Sequence, residues 1–235
     1  MQQRREADPR LALVERFFAG TGPSYDFMVN AATFGIDRLW KRRIVDAIPP
    51  HALSIVDLAC GTGISTLAIA KRFPRSRIVG VELREEYLQH ARRKVQNEGL
   101  EHVELVLSRA EDFLPAERFD CISSSYLAKY AELPTLVANA HSLLNEDGVF
   151  IAHDFTYPAK PALVRIWRAY FAVMQRVSPV LFPSWNEIYY GLPELIERTK
   201  WLQELPPLLE EHGFRNIEVT HLTAYGSALV RAERA

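Results

Sequence analysis

From residue 54 to residue 154 the chain alternates short apolar runs with amphipathic stretches. The runs Ser54–Leu58, Arg77–Val81, Val103–Leu107, Phe119–Ser124 and Val149–Asp154 are rich in β-branched and aliphatic residues and predict buried strands. Between them, Ile64–Arg72, Glu85–Glu98 and Leu133–Leu144 predict helices. Gly99 stops the second of these, Pro134 suits the first turn of the third, and Gly148 resets the chain into a strand. Alternation of this kind predicts a mainly parallel sheet covered on both faces. A helical region is expected between Ala162 and Lys200. Phe214–Thr220 and Ala224–Arg231 then read as a closing pair of strands around Leu222-Thr223.

Composition narrows the class. The 235 residues, 48% of them apolar, suit one domain with a full core. A net charge of −1 provides no overall attraction for nucleic acid, which is not expected as a partner. Cys60 and Cys121 are the only cysteines and lack metal-ligand spacing, so a reduced, cytoplasmic protein without a metal is expected. Met1 to Arg10 is polar and nowhere do eighteen apolar residues run together, so neither a secretory signal nor a membrane span is expected.

The chemistry concentrates where the first strand ends. Ser54 to Ser65 reads as a strand, a glycine-rich turn and the start of a helix, with Gly61 and Gly63 permitting close approaches that a Cβ would block. The second strand runs into Glu82, whose carboxylate can accept hydrogen bonds from both hydroxyls of a ribose. Turn and acid together predict a nucleoside site. A dinucleotide fingerprint would need a third glycine at Thr66, and the lysine of a phosphate loop is missing, so no pyrophosphate cradle is expected.

The run Asp57-Leu58-Ala59-Cys60-Gly61-Thr62-Gly63 resembles the first motif of the class I S-adenosylmethionine-dependent methyltransferases, D/E-x-x-x-G-x-G. Tyr25-Asp26-Phe27-Met28-Val29-Asn30, followed by Thr33-Phe34-Gly35-Ile36-Asp37-Arg38-Leu39-Trp40-Lys41-Arg42, is similar to the N-terminal pattern of the ubiquinone/menaquinone biosynthesis C-methyltransferases of the UbiE type. That pattern is close to Y-D-x-M-N and then S-F-G-x-H-R-x-W-K. Phe119-Asp120-Cys121-Ile122, Gly213-Phe214 and Leu222-Thr223-Ala224 extend the likeness along most of the chain. The resemblance implies a Rossmann-like α/β fold with a mainly parallel seven-stranded sheet, an antiparallel last strand and helices on both faces. It also implies S-adenosylmethionine as cofactor, held by Asp57, Ala59, Cys60, Gly61, Thr62, Gly63, Glu82, Leu83, Ala110, Glu111 and Ser124. Residues 1–50 would form an N-terminal helical segment contributing to the acceptor site. Residues 51–235 would form the methyltransferase domain, with a helical insertion at 160–200 on the acceptor side.

Departures from the family pattern fall on the acceptor side. Where quinone methyltransferases carry F-G-L-R-N, this chain has Tyr126-Leu127-Ala128-Lys129-Tyr130, and Lys does not reproduce the fixed fork of Arg. Arg109 stands where the family usually has Asp or Asn beside the adenine. The resemblance implies a small hydrophobic acceptor, a hydroxylated aromatic or quinol, and methyl transfer to it needs in-line attack by an electron-rich atom. Lys129 is a candidate to stabilise a phenolate, and Tyr25, Tyr130, His153 and Asp154 to orient it or relay its proton. Each has a plainer reading: surface lysine, packing tyrosines, a hydrogen-bonded core histidine. The aromatic and apolar stretch Leu163 to Met174, with Val180-Leu181-Phe182 and Trp185, reads as the roof of a greasy pocket broken at Ser178-Pro179 and Pro183. Tyr189 and Tyr190 are further substrate-side candidates. Peripheral membrane contact through Arg165, Arg168 and Arg176 and a homodimer both stay open, as does a chain that binds the cofactor without transferring its methyl group.

Overall fold

Neighbouring residues of each central strand point to opposite faces, and both faces are covered. In the computed structural model, which describes residues 8–235, Ile55 and Val56 are both fully buried, one on each side of the sheet. Residues 1–7, where the predicted polar N-terminus and the 1–50 segment begin, lie outside the described residues. The strands are β1 (Ser54–Leu58), β2 (Arg77–Glu82), β3 (Val103–Leu107), β4 (Phe119–Ser125), β5 (Leu144–Phe155), β6 (Phe214–Leu222) and β7 (Ser227–Arg234). They form a seven-stranded sheet in the order β3-β2-β1-β4-β5-β7-β6. Pairing is parallel from β3 to β5, and β7 runs antiparallel to both its neighbours, as expected.

The helices are α1 (Pro9–Phe18), α2 (Tyr25–Ala32), α3 (Asp37–Ala47), α4 (Ile64–Arg72), α5 (Glu85–Asn97), α6 (Leu133–Leu143), α7 (Pro161–Leu181), α8 (Asn186–Arg198) and α9 (Trp201–Glu211). One face of the sheet packs on α6 and α9 through Leu136, Val137, Leu205 and Leu209. The other packs on α3 and α4 through Ile44, Ile69 and Ala70. A third cluster stands beyond the ends of the strands, where Phe17 of α1, Met28 of α2, Phe171 of α7 and Tyr189 of α8 meet Tyr130.

Three details differ from the sequence reading. β5 begins at Leu144, directly after α6, so Gly148 lies within the strand; the register shift against β4 between Phe119 and Cys121 absorbs the irregular start. β7 begins at Ser227 rather than Ala224, because Thr223, Ala224 and Tyr225 all take positive φ in a tight turn. α7 runs through Ser178-Pro179 to Leu181 instead of breaking there. A proline at 179 deprives the Gln175 carbonyl of its helical donor, and the Tyr190 hydroxyl supplies one at 3.3 Å.

Candidate active site

The turn after β1 is built from left-handed backbone. Ala59, Gly61 and Gly63 have φ of +56°, +59° and +86°, and Gly63 caps the N-terminus of α4. A Cβ on Gly63 would press on Ala91 and Leu67 at about 3 Å, so glycine there lets α5 pack against the turn. Glu82 closes the other side. Its Oε2 accepts the Gly61 N–H at 2.9 Å and its Oε1 accepts the Arg84 N–H at 2.8 Å. Burial raises the pKa of this carboxyl, and the backbone donors at Arg84, Gly61 and Leu83 pull it back down. The carboxylate keeps acceptor capacity for a further donor.

A cavity of about 110 Å³ opens over this turn, lined by Ala59, Gly61, Glu82, Leu83, Ala110 and Glu111, all expected on the cofactor side. The other expected residues stand behind its wall. Both oxygens of Asp57 are engaged, by the Thr66 hydroxyl at 2.7 Å and the Ser123 hydroxyl at 2.9 Å, so the carboxylate braces α4 and β4 against β1. The Cys60 side chain is buried against Gly80. Thr62 donates to Asp26 of α2 at 2.5 Å, Gly63 is enclosed by α4 and α5, and Ser124 is buried in β4.

Helix α1 covers the cavity with Leu11, Val14 and Phe18. Its hold is polar: Glu15 pairs with Arg84, Asp8 meets Arg109 at 2.9 Å, and Glu86 accepts the N–H groups of Gly20 and Gly22. Arg109 also pairs with Glu111 at 2.9 Å, so two carboxylates anchor it.

A second cavity of about 380 Å³ lies next to the first, and Phe18, Tyr25, Tyr126 and Tyr130 line both. Its lining is overwhelmingly apolar and ring-rich: Trp40, Phe155, Trp167, Tyr170, Phe171 and Trp185 among others. Leu163 to Phe171 roof it as expected, and Tyr189 lines it. Val180, Leu181 and Tyr190 are exposed outside it.

Among the catalytic candidates, Tyr25, Lys129 and Tyr130 line the cavities, whereas His153 and Asp154 are wholly buried beneath them. Lys129 Nζ donates to Asp154 Oδ1 at 2.6 Å and to the Tyr126 carbonyl at 3.0 Å. His153 Nδ1 meets Ser125 Oγ at 3.1 Å, and Ser125 in turn accepts from Lys41 Nζ at 2.5 Å. Three polar groups escaped the sequence reading. Tyr126 donates through its hydroxyl to Asp37 Oδ1 at 2.6 Å, and Lys41 lies 3.6 Å from the same oxygen and 4.3 Å from the centre of the Tyr126 ring. No local pattern shows that they meet, because they come from α3 and from the turn after β4. Among the described residues no cluster of His, Cys, Asp or Glu could hold a metal ion, and no helix is long and apolar enough to cross a membrane.

Burial, with Lys41 and Lys129 nearby, holds the His153 pKa well below its ordinary value. Below the unfolded value near 6.5 the unfolded chain takes up a proton that the folded chain refuses, so this contribution to stability is full above 6.5 and lost as pH falls. In urea unfolding, moving from about pH 7.5 to about pH 5.5 should cost the wild type about 1.4 kcal/mol more than His153→Gln. Equal losses would mean that His153 titrates in the folded protein.

A sheet of this order, with a glycine turn after its first strand and an acid at the end of its second, defines a class I S-adenosylmethionine-dependent methyltransferase. The chain belongs to the ubiE/COQ5 methyltransferase family, whose model matches residues 2–232. It is 31% identical over 202 residues to the demethylmenaquinone methyltransferase of Thermus thermophilus, covering 84% of this chain and 90% of that one. It is 29% identical over 225 residues to the ubiquinone/menaquinone biosynthesis C-methyltransferase UbiE of an Enterobacter species, covering 93% and 89%. Among solved structures, a S-adenosylmethionine-dependent methyltransferase from Aquifex aeolicus superposes with a TM-score of 0.57 at 16% identity over 85% of this chain and 89% of that one. The mitomycin 7-O-methyltransferase MmcR superposes with a TM-score of 0.63 at 17% identity over 91% of this chain, which spans 58% of that structure. The left-handed glycine turn and the buried acid beside it suit the adenosine of S-adenosylmethionine, the cofactor of the family.

Proposed function

We propose that this methyltransferase acts on a ring carbon of a demethylated quinol carrying an apolar tail. One observation carries the reading: the ring-lined cavity of about 380 Å³ shares a wall of four aromatic side chains with the cofactor cavity. A flat hydroxylated ring can lie against that wall while its tail follows the apolar lining between α2, α7 and α8. In this reading, Ala59, Gly61, Glu82, Leu83, Ala110 and Glu111 hold the cofactor, with Glu82 on the ribose. When bound, the cofactor supplies an electrophilic methyl group on a sulfonium. The protein aligns the acceptor with it and keeps water out, the latter through α1 and the aromatic wall. The helical segment through α3 and the α7–α8 insertion make up the acceptor side, contributing Tyr25, Val29 and Trp40 from one and Trp167, Phe171 and Tyr189 from the other.

The names of the relatives support a quinol acceptor, and the chain's own Lys129 and Tyr130 set its recognition. Lys129 is committed to Asp154, so the pair meets the acceptor as a dipole and not as a free cation. Incubating the protein with S-adenosylmethionine and short-chain demethylmenaquinol should give a product heavier by one CH₂ and one equivalent of S-adenosylhomocysteine. Cofactor binding without product, across demethylated quinols and simple phenols, would leave a binding protein and overturn the proposal.

A further inference from the structure

The Asp37–Tyr126 contact joins two places where this chain departs from the family pattern. In S-F-G-x-H-R-x-W-K the histidine position is held by Asp37, and in F-G-L-R-N the phenylalanine position is held by Tyr126. Eighty-nine residues apart in sequence, the two side chains meet at 2.6 Å with the phenol donating.

The backbone holds Tyr126 to this task. Its φ is +65°, a conformation that is costly for a bulky residue and persists only where the surroundings impose it. Here the Tyr126 N–H donates to the His153 carbonyl at 2.8 Å, its carbonyl accepts from Lys129, and its ring stacks on Phe155 at 4.7 Å. The result is a phenol on the wall common to both cavities, with its proton aimed at a carboxylate on α3. Asp37 is itself buried and steadied by its own N–H donating to Thr33 Oγ1 at 3.2 Å.

We propose that Tyr126 and Asp37 form the proton relay for the acceptor hydroxyl, an inference that rests on the methyl-transfer reading above. The acceptor O–H donates to Tyr126 Oη, and as its proton moves to that oxygen the phenolic proton of Tyr126 moves to Asp37, leaving an acceptor oxyanion. The ring carbon beside the oxyanion then bonds to the methyl carbon while the methyl–sulfur bond breaks, its electron pair staying on sulfur as the neutral thioether. The resulting ring ketone regains its hydroxyl proton from Asp37 through Tyr126 as the methylated carbon releases its own proton to solvent. One proton leaves per methyl transferred. Tyr126 is the catalytic contact and Asp37 the positioning residue behind it.

Asp37 is faced by Lys41 from its own helix, by Tyr126 from the turn after β4 and by Tyr25 from α2, with Lys129, Asp154 and His153 beyond. The pH profile therefore belongs to this cluster and is read by comparison between variants. Two readouts separate a relay from a structural role. In the first, 1-naphthol bound in the presence of S-adenosylhomocysteine is examined by absorbance: the wild type should bind it ionised, Tyr126→Phe and Asp37→Asn neutral. In the second, kcat for the demethylated quinol should fall about a hundredfold in both variants at neutral pH and recover as rising pH ionises the acceptor unaided. KM and S-adenosylhomocysteine affinity should hold. Tyr126→Phe keeps the buried Asp37–Lys41 pair and decides the matter if Asp37→Asn does not fold. Folded variants that ionise naphthol and turn over like the wild type would overturn the relay while leaving the methyltransferase reading intact. A wild type that methylates no quinol would overturn both.

Discussion

Glu82→Ala should lower the affinity for S-adenosylhomocysteine by about two to four orders of magnitude, measured by calorimetric titration. In the proposed site Glu82 accepts two hydrogen bonds from ribose hydroxyls, worth about 1.5–3 kcal/mol each, and alanine removes both. The loss extends beyond the ligand. The same two oxygens hold the N–H groups of Gly61 and Arg84, so alanine also frees the turn to leave its left-handed conformation and leaves buried donors unsatisfied. Glu82→Gln should fall between the two, because its single carbonyl oxygen can serve one side of the site but not both. Desolvation already raises the pKa of Glu82, and binding should therefore weaken as the group protonates in acid. An Ala variant that binds as tightly as the wild type would remove Glu82 from the cofactor site and with it the assignment of the cavity over the glycine turn.

How much of this was legible in the sequence depended on whether the signal was local. Parallel strands buried on both faces stand out as apolar runs, and the glycine turn carries its own constraint on φ, so β1 to β5 and the cofactor turn could be read directly. α9 could not. Pro206 and Pro207 argue against a helix, yet Trp201, Leu205 and Leu209 bury a full face against the sheet, and that packing outweighs the missing donors. A motif also says nothing about the direction of each side chain. Ser124 and Ser125 are successive residues of β4 and point to opposite sides, which sends Ser124 behind the cavity wall while Ser125 lines it; Asp57 stays within β1 against Thr66 and Ser123, whereas Ala59, past the strand end in left-handed backbone, reaches the cavity. His153 and Asp154 likewise look catalytic at a strand end but are covered by Tyr126 and Lys129. The Asp37–Tyr126 contact lay beyond any local pattern, since only the docking of α3 against the end of β4 creates it.

Asp154→Ala should be strongly destabilising, costing about 3–5 kcal/mol and lowering Tm by about 6–20 °C. The Lys129 and Asp154 side chains are 2% and 0% exposed, and Asp154 also accepts the N–H groups of Lys129 at 3.0 Å and Phe155 at 2.7 Å. Alanine strands a buried ammonium and two backbone donors at once. Burial lowers the Lys129 pKa even with its partner present, so in the variant the ammonium should shed its proton and the deficit should shrink as pH rises. Lys129→Met with Asp154→Leu removes both charges together and should recover the part of the loss that comes from the stranded ammonium, while the Lys129 and Phe155 N–H groups stay unsatisfied. The recovery would not extend to the acceptor. Lys129 Nζ also holds the Tyr126 carbonyl, and without it the strained backbone at Tyr126 loses one of the contacts that impose its shape. The double variant should thus melt between Asp154→Ala and the wild type and bind 1-naphthol more weakly than the wild type. If Asp154→Ala costs under about 1 kcal/mol, water reaches the pair and it behaves as an exposed one.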